Sequence, residues 1–90
     1  MPKYVIERNL PGAGRLSAEQ RREIAARSCA VLADLGPAVQ WQHSYFTDDK
    51  VFCIYLAENE EQLHEHAKRG GFPIDAVHRV GAVVDPSSAE

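Results

Sequence analysis

Hydrophobic and polar residues follow two different periods along the chain, and the changes of period divide it into elements. Residues 3–8 alternate in the way of a short strand, which Pro11 and its flanking glycines stop. Apolar residues then recur every three or four positions, which predicts an amphipathic helix. This helix begins at the capping residue Ser17, with Gln20 completing a capping box, and ends before Gly36.

The stretch 41–55 has the composition of a β-hairpin. Aromatic and β-branched residues dominate both halves, and the turn-forming tetrapeptide Thr-Asp-Asp-Lys separates them. With the tip in the middle of this turn, His43 pairs with Ile54 and Trp41 pairs with Leu56, and paired residues share a face. One face is then expected to carry Val39, Trp41, His43, Tyr45, Phe52, Ile54 and Leu56, and the other Gln40, Gln42, Ser44, Phe46, Val51, Cys53 and Tyr55.

A shorter helix and one more strand complete the pattern. Asn59 is a typical helix cap, and the second helix is expected to run from it to Gly70. We expect a turn over 74–77, the last strand over 78–84, and a flexible polar tail over 85–90.

The order strand, helix, strand, strand, helix, strand is typical of the ferredoxin-like α+β fold, βαββαβ. We therefore expect a single domain over residues 1–90, with a four-stranded antiparallel sheet and two helices on one face. Because Ser44 and Cys53 let helices approach closely, we place the larger side chains, including His43 and Tyr45, on the uncovered face. A second copy would cover that face in a sheet-to-sheet homodimer. Apolar composition alone equally allows the alternative, in which this face lies under the helices and His43 is a core histidine.

Composition and charge narrow the choice of partners. The chain has 44% hydrophobic and 26% charged residues, which is ordinary for a globular protein. Its net charge of −3 and the absence of a basic stripe disfavour nucleic acid as a partner. It has neither an apolar run of membrane-spanning length nor a signal peptide, so we expect a cytoplasmic protein without a membrane partner. Cys29 and Cys53 have no metal-type spacing and are expected to be buried free thiols.

His43 and Tyr45 form the most chemically suggestive pair in the chain. Two residues apart on a strand, their imidazole and phenol groups point the same way. Glu7 on the first strand is either a rim charge or part of a site, and it can join the pair if that strand lies antiparallel beside the third. Two histidines spaced like His64 and His66 point about 200° apart on a helix, so they do not close on one metal ion. His64 is expected to be exposed.

The chain also resembles a known family, the small nickel-responsive ferredoxin-like proteins of bacteria, formerly a domain of unknown function. The resemblance rests on four segments that span nearly the whole chain: 4–12, 41–50, 52–57 and 66–73. It implies a ferredoxin-like homodimer that binds nickel through histidine and oxygen ligands. Carried over by resemblance, the metal-site residues of this chain are Glu7, His43, Tyr45 and His66.

Two classes of function fit these features. In the first, which we favour, the protein is a non-enzymatic binder of nickel or another divalent transition metal, for sequestration or response. Imidazole nitrogen with carboxylate or phenolate oxygen suits an ion of borderline softness. In the alternative, the open face of the dimer binds a small organic molecule, and His43 acts as a general base beside Tyr45 in cofactor-free catalysis. The chain shows no nucleophile-base set or phosphate-binding loop, so we favour binding over catalysis.

Overall fold

In the computed structural model, which describes residues 1–90, two helices pack on one face of a four-stranded antiparallel sheet. The strands lie in the order β2-β3-β1-β4. This arrangement confirms the predicted ferredoxin-like α+β fold. In chain order, the elements are β1 (Lys3–Asn9), α1 (Ala18–Leu35), β2 (Val39–Phe46), β3 (Lys50–Ala57), α2 (Glu60–Gly70) and β4 (Ala76–Arg79).

Both helices begin where the capping residues predict. Ser17 Oγ accepts a hydrogen bond from the Gln20 backbone N–H at 3.1 Å, and the Gln20 side chain accepts one from the Ser17 N–H at 2.8 Å. These reciprocal bonds satisfy two N–H groups that have no partner inside the helix. Asn59 caps α2 by one such bond, in which its Oδ1 accepts from the Gln62 N–H at 3.1 Å. Neither helix is long and apolar enough to cross a membrane.

A β-bulge at Gln42 changes which residues of β2 face the helices. His43 and the residues after it keep the predicted register, but Trp41 pairs with Tyr55, one residue away from its predicted partner. The extra residue in β2 turns Trp41 to the helix-covered face, because successive strand residues point to opposite sides. The Trp41 indole N–H donates to Ser44 Oγ at 2.9 Å, a bond that spans the bulge. The prediction that Val39 and Trp41 share a face with His43 is therefore wrong.

The core lies between the helices and this covered face. Burial alternates along β1 and β3, with one residue buried and the next half-exposed. Leu63 of α2 and Ile6 of β1 are both fully buried, at 0% exposure. Burying a side chain of this size contributes about 2 kcal/mol. The other core residues are Tyr4, Ala13, Val39, Val51, Cys53, Tyr55 and Ala57.

The last strand begins and ends earlier than the sequence predicts. β4 covers Ala76–Arg79, so the predicted turn over 74–77 and strand over 78–84 are both corrected. The Val80 N–H still bonds to the Lys3 carbonyl at 2.9 Å, but β1 begins at Lys3, and Pro2 before it has no backbone N–H to continue the ladder.

The two cysteines differ in their surroundings. Both are free thiols, and Cys53 is buried in the core as expected. Cys29 is exposed on α1, contrary to the prediction. Its neighbour Ser28 takes the buried position of that turn instead.

Candidate functional site

The uncovered side of the sheet, called the open face below, carries an apolar strip along the two central strands. Val5 of β1 and Phe52, Ile54 and Leu56 of β3 lie side by side on it, and each is only partly buried. A contiguous apolar surface on a soluble chain is typical of an interaction site.

His43 and Tyr45 lie on β2, at one edge of the strip, as the sequence predicts. His43 Nε2 and the Tyr45 hydroxyl are hydrogen-bonded at 3.1 Å, and the rings meet edge to face with centroids 5.0 Å apart. Tyr45 is 59% exposed and His43 is also exposed. An imidazole nitrogen and a phenol oxygen are thus adjacent and accessible, as two ligands of one ion would be.

Glu7 and His78 form a second polar pair at the other edge of the strip. Glu7 Oε2 accepts a hydrogen bond from Lys50 Nζ at 3.0 Å, and Glu7 Oε1 lies 3.9 Å from His78 Nε2. Sequence reasoning placed His78 at the start of the last strand but did not assign it to a site, because the register of that strand on β1 was not predicted. The signal that finds it is the register of β4 on β1, which places His78 opposite Val5.

The two polar pairs lie at the same level along the strands, meaning that a line across the sheet, perpendicular to the strands, passes through both. His43 pairs with Ile54, Ile54 with Val5, and Val5 with His78. Adjacent strands are about 4.8 Å apart, so about 14 Å separates the backbones of His43 and His78. Accordingly, no group of three or more His, Cys, Asp or Glu side chains within one chain is placed to hold a metal ion.

His66 lies on the opposite side of the sheet from the other three predicted ligands. It is fully buried on α2, its Nε2 is 3.2 Å from Ser28 Oγ, and its ring packs on Tyr55. Burial, helped by the nearby Arg8 charge, lowers the pKa of His66 to about 4. The sheet separates it from His43, so within one chain these two histidines do not share an ion.

His64, in contrast, projects into solvent from α2, as the helix geometry predicts. Its Nε2 lies 3.6 Å from the Glu60 carboxylate, one turn earlier. The two histidines of the His-Glu-His sequence therefore face different surroundings and do not chelate one ion.

Comparison with known proteins gives a family and a fold. Residues 4–80 match a family model described as "Nickel responsive protein SCO4226-like". Among solved structures, the chain is similar to SCO4226 from Streptomyces coelicolor A3(2), with a TM-score of 0.77 and 15% sequence identity. The match covers 91% of this chain and 99% of that one, and at this identity it shows the fold alone. No curated protein matches the chain.

Proposed function

The chain belongs to the nickel responsive SCO4226-like family, and on that premise we propose that it is a homodimer that binds nickel or another divalent transition metal. Its role is sequestration or response, without catalysis. The metal site is shared between two copies of the chain. The observation that carries this proposal is the presence of two donor pairs, at one level but on opposite edges of the open face.

A two-fold axis that runs along the strands, between two facing sheets, brings these edges together. Rotation about such an axis reverses the strand order and keeps the level of every residue. β2 of one protomer then lies over β4 of its partner, and His43 faces the partner subunit's His78. Packed sheets lie about 10 Å apart, so side chains from both sheets meet in the space between them.

The same arrangement covers the apolar strip. Phe52, Ile54 and Val5 lie on the central strands and would pack against the same strip of the second copy. A chain of 90 residues buries a smaller fraction of its surface than a larger domain, so this additional burial adds to its stability. Dimerisation and metal binding would therefore use one surface.

The donors that meet in the dimer suit nickel. They are the imidazole nitrogens of His43 and the partner's His78, the carboxylate of the partner's Glu7 and the phenol oxygen of Tyr45. Nitrogen with oxygen donors fits a divalent ion of borderline softness, and the Irving–Williams order predicts that Cu²⁺ would bind such a site more tightly than Ni²⁺. His66, on the far side of the sheet, is outside this site.

Titration of the metal-free protein with Ni²⁺ by calorimetry tests the proposal. The wild-type protein is expected to bind one ion per chain. His43→Ala and His78→Ala should each weaken nickel binding by more than about 100-fold. Loss of a residue that only hydrogen-bonds to a metal ligand typically costs roughly 10- to 100-fold, and loss of a ligand itself should cost more.

The matched control is His64→Ala, which removes an exposed histidine from α2 and should leave the affinity unchanged. Circular dichroism of each variant checks that the fold is intact. Wild-type affinity in the His43 variant, or no binding by the wild-type protein, would contradict the proposal.

A further inference from the structure

A cavity of about 160 Å³ lies between α1 and the covered face of the sheet, on the other side from the proposed metal site. Its walls are mostly apolar and include Ile24, Trp41 and Phe46. An apolar cavity of about 150 Å³ is large enough to hold a benzene molecule. The space therefore matches a single ring or a short aliphatic chain.

The only Asp, Glu, Lys or Arg residues that line this cavity are three arginines, Arg8, Arg21 and Arg27. No aspartate or glutamate lines it, although the whole chain has a net charge of −3. Arg21 and Arg27 are exposed, whereas Arg8 is buried. The cavity thus combines an apolar body with a cationic lining, in a chain that is acidic as a whole.

Arg8 is 5% exposed and has no acidic partner. Its Nη1 donates to the Pro73 carbonyl, and its guanidinium carbon lies 5.5 Å from the centroid of the Phe72 ring. None of the ion pairs in the chain includes Arg8. A buried cation without a counter-ion is costly, because the interior solvates it less well than water does.

The polar neighbours of Arg8 do not neutralise it. Burial raises the pKa of the Tyr55 phenol, so Tyr55 offers a neutral hydroxyl and no negative charge. His66 is neutral at pH 7, since burial lowers its pKa to about 4, and its Nδ1 has no hydrogen-bond partner. The positive charge on Arg8 is therefore left for an anion from outside the chain.

We propose that this cavity binds a small monocarboxylic acid with an apolar body the size of a single ring. The carboxylate pairs with the Arg8 guanidinium, whose planar fork matches a carboxylate in two parallel hydrogen bonds. The apolar body occupies the space beside Trp41 and Phe46. Arg21 and Arg27 raise the local concentration of anions near the cavity.

Trp41 supplies a direct measurement, because it is the one tryptophan of the chain and lines the cavity. Chelator-treated protein is titrated with phenylacetate or hexanoate at constant ionic strength, and Trp41 fluorescence is recorded. Both acids are expected to give a saturable change. Phenylacetamide, the neutral counterpart of phenylacetate, should bind at least about tenfold more weakly, because it lacks the charge-assisted bond to Arg8.

Two variants locate the site. Arg8→Met should reduce the affinity for phenylacetate to that for phenylacetamide. Substitution of the buried Arg8 can also disturb the fold, so a second variant is needed. Ala25→Leu fills the cavity from α1 and should abolish the response to both compounds. Ala26→Leu adds the same side chain at the neighbouring exposed position, outside the cavity lining, and should bind as the wild-type protein does.

Three results would each overturn the proposal. The first is the absence of a saturable response to both acids in the wild-type protein. The second is equal affinity for phenylacetate and phenylacetamide. The third is wild-type binding by Ala25→Leu protein whose circular dichroism shows an intact fold.

Discussion

The two faces of the sheet use their polar residues in opposite ways. At the covered face, Arg8 and Tyr55 of the sheet and His66 of α2 are buried, and each contacts other residues of the same chain. The open face carries its polar residues in two exposed pairs at the edges of an apolar strip: His43 with Tyr45 and Glu7 with His78. One chain thus covers the first face with its own helices but leaves the second face without cover.

The difference indicates a division of roles between the two faces of the sheet. Packing on the covered face determines the stability of the single chain, since its side chains are removed from water on folding. Substitutions on the open face should instead change association and metal binding. The following predictions test this division, from the largest expected change in free energy to the smallest.

Leu63→Ala should lower the free energy of unfolding by about 2 to 5 kcal/mol, because it leaves a cavity in a fully packed position. Leu56→Ala is the matched substitution on the open face, where the side chain is only partly buried. At low protein concentration, urea unfolding should show a much smaller loss for Leu56→Ala. Equal losses in the two variants would mean that the open face is also packed within one chain.

His66 should make the stability of the chain depend on pH. Its pKa falls from the ordinary 6.5 to about 4 on folding, so between these values the unfolded chain carries a proton that the folded chain excludes. The free energy of unfolding is therefore highest above pH 6.5 and should fall by about 3 kcal/mol as the pH drops toward 4.

His66→Gln keeps a hydrogen-bonding group for Ser28 but removes this titration. The difference in unfolding free energy between wild type and variant should thus change with pH over the same range, as measured by urea unfolding at several pH values. Parallel pH profiles would show that His66 is protonated as easily in the folded chain as in the unfolded one.

Ile54→Glu should weaken the dimer at least about 100-fold, because the two-fold axis would bring two carboxylates into an apolar interface without partners. Sedimentation equilibrium measures the change. Ala33→Glu adds the same charge on the exposed side of α1 and should leave the dimer intact. A wild-type protein that sediments as a monomer at micromolar concentration would contradict the prediction, because there would be no dimer to weaken.

Lys50→Met should change the free energy of unfolding by less than about 1 kcal/mol, because its ion pair with Glu7 is partly exposed to solvent. The same substitution frees the Glu7 carboxylate from a competing cation. Nickel affinity, measured by calorimetry, should therefore rise slightly or stay the same. A large loss of affinity would assign Lys50 a role in holding Glu7 in position.

Local sequence signals account for the parts of the fold that were predicted correctly. Ser17 and Asn59 cap their helices through bonds to residues three positions away, so short segments of sequence were sufficient to place them. The hairpin turn fixes the register as far as His43, which is why His43 and Tyr45 were correctly paired with Ile54 and Phe52.

Tertiary packing decided the parts that sequence reasoning missed. The bulge at Gln42 turns Trp41 into the space under α1, and β4 ends beside the first residues of β1, its neighbour in the sheet. Neither effect leaves a periodic pattern in its own segment. The buried position of His66 depends on Tyr55 and on other distant residues that fold against α2, so helix periodicity alone did not show that it lies on the other side of the sheet from His43.

The most direct test of the central claim, that each metal site is formed by two copies of the chain, is to mix two inactive variants. His43→Ala and His78→Ala are expected to bind no Ni²⁺ separately, because each lacks a ligand in both sites of its dimer. After random subunit exchange, the mixed dimers contain one intact site, so about a quarter of the wild-type nickel stoichiometry should return.

A mixture of His43→Ala with His43→Gln, whose defects lie on the same edge of the sheet, is the control and should recover no binding. Recovery of about a quarter of the sites in the first mixture alone is the result this account predicts. No recovery after confirmed subunit exchange would contradict the shared site.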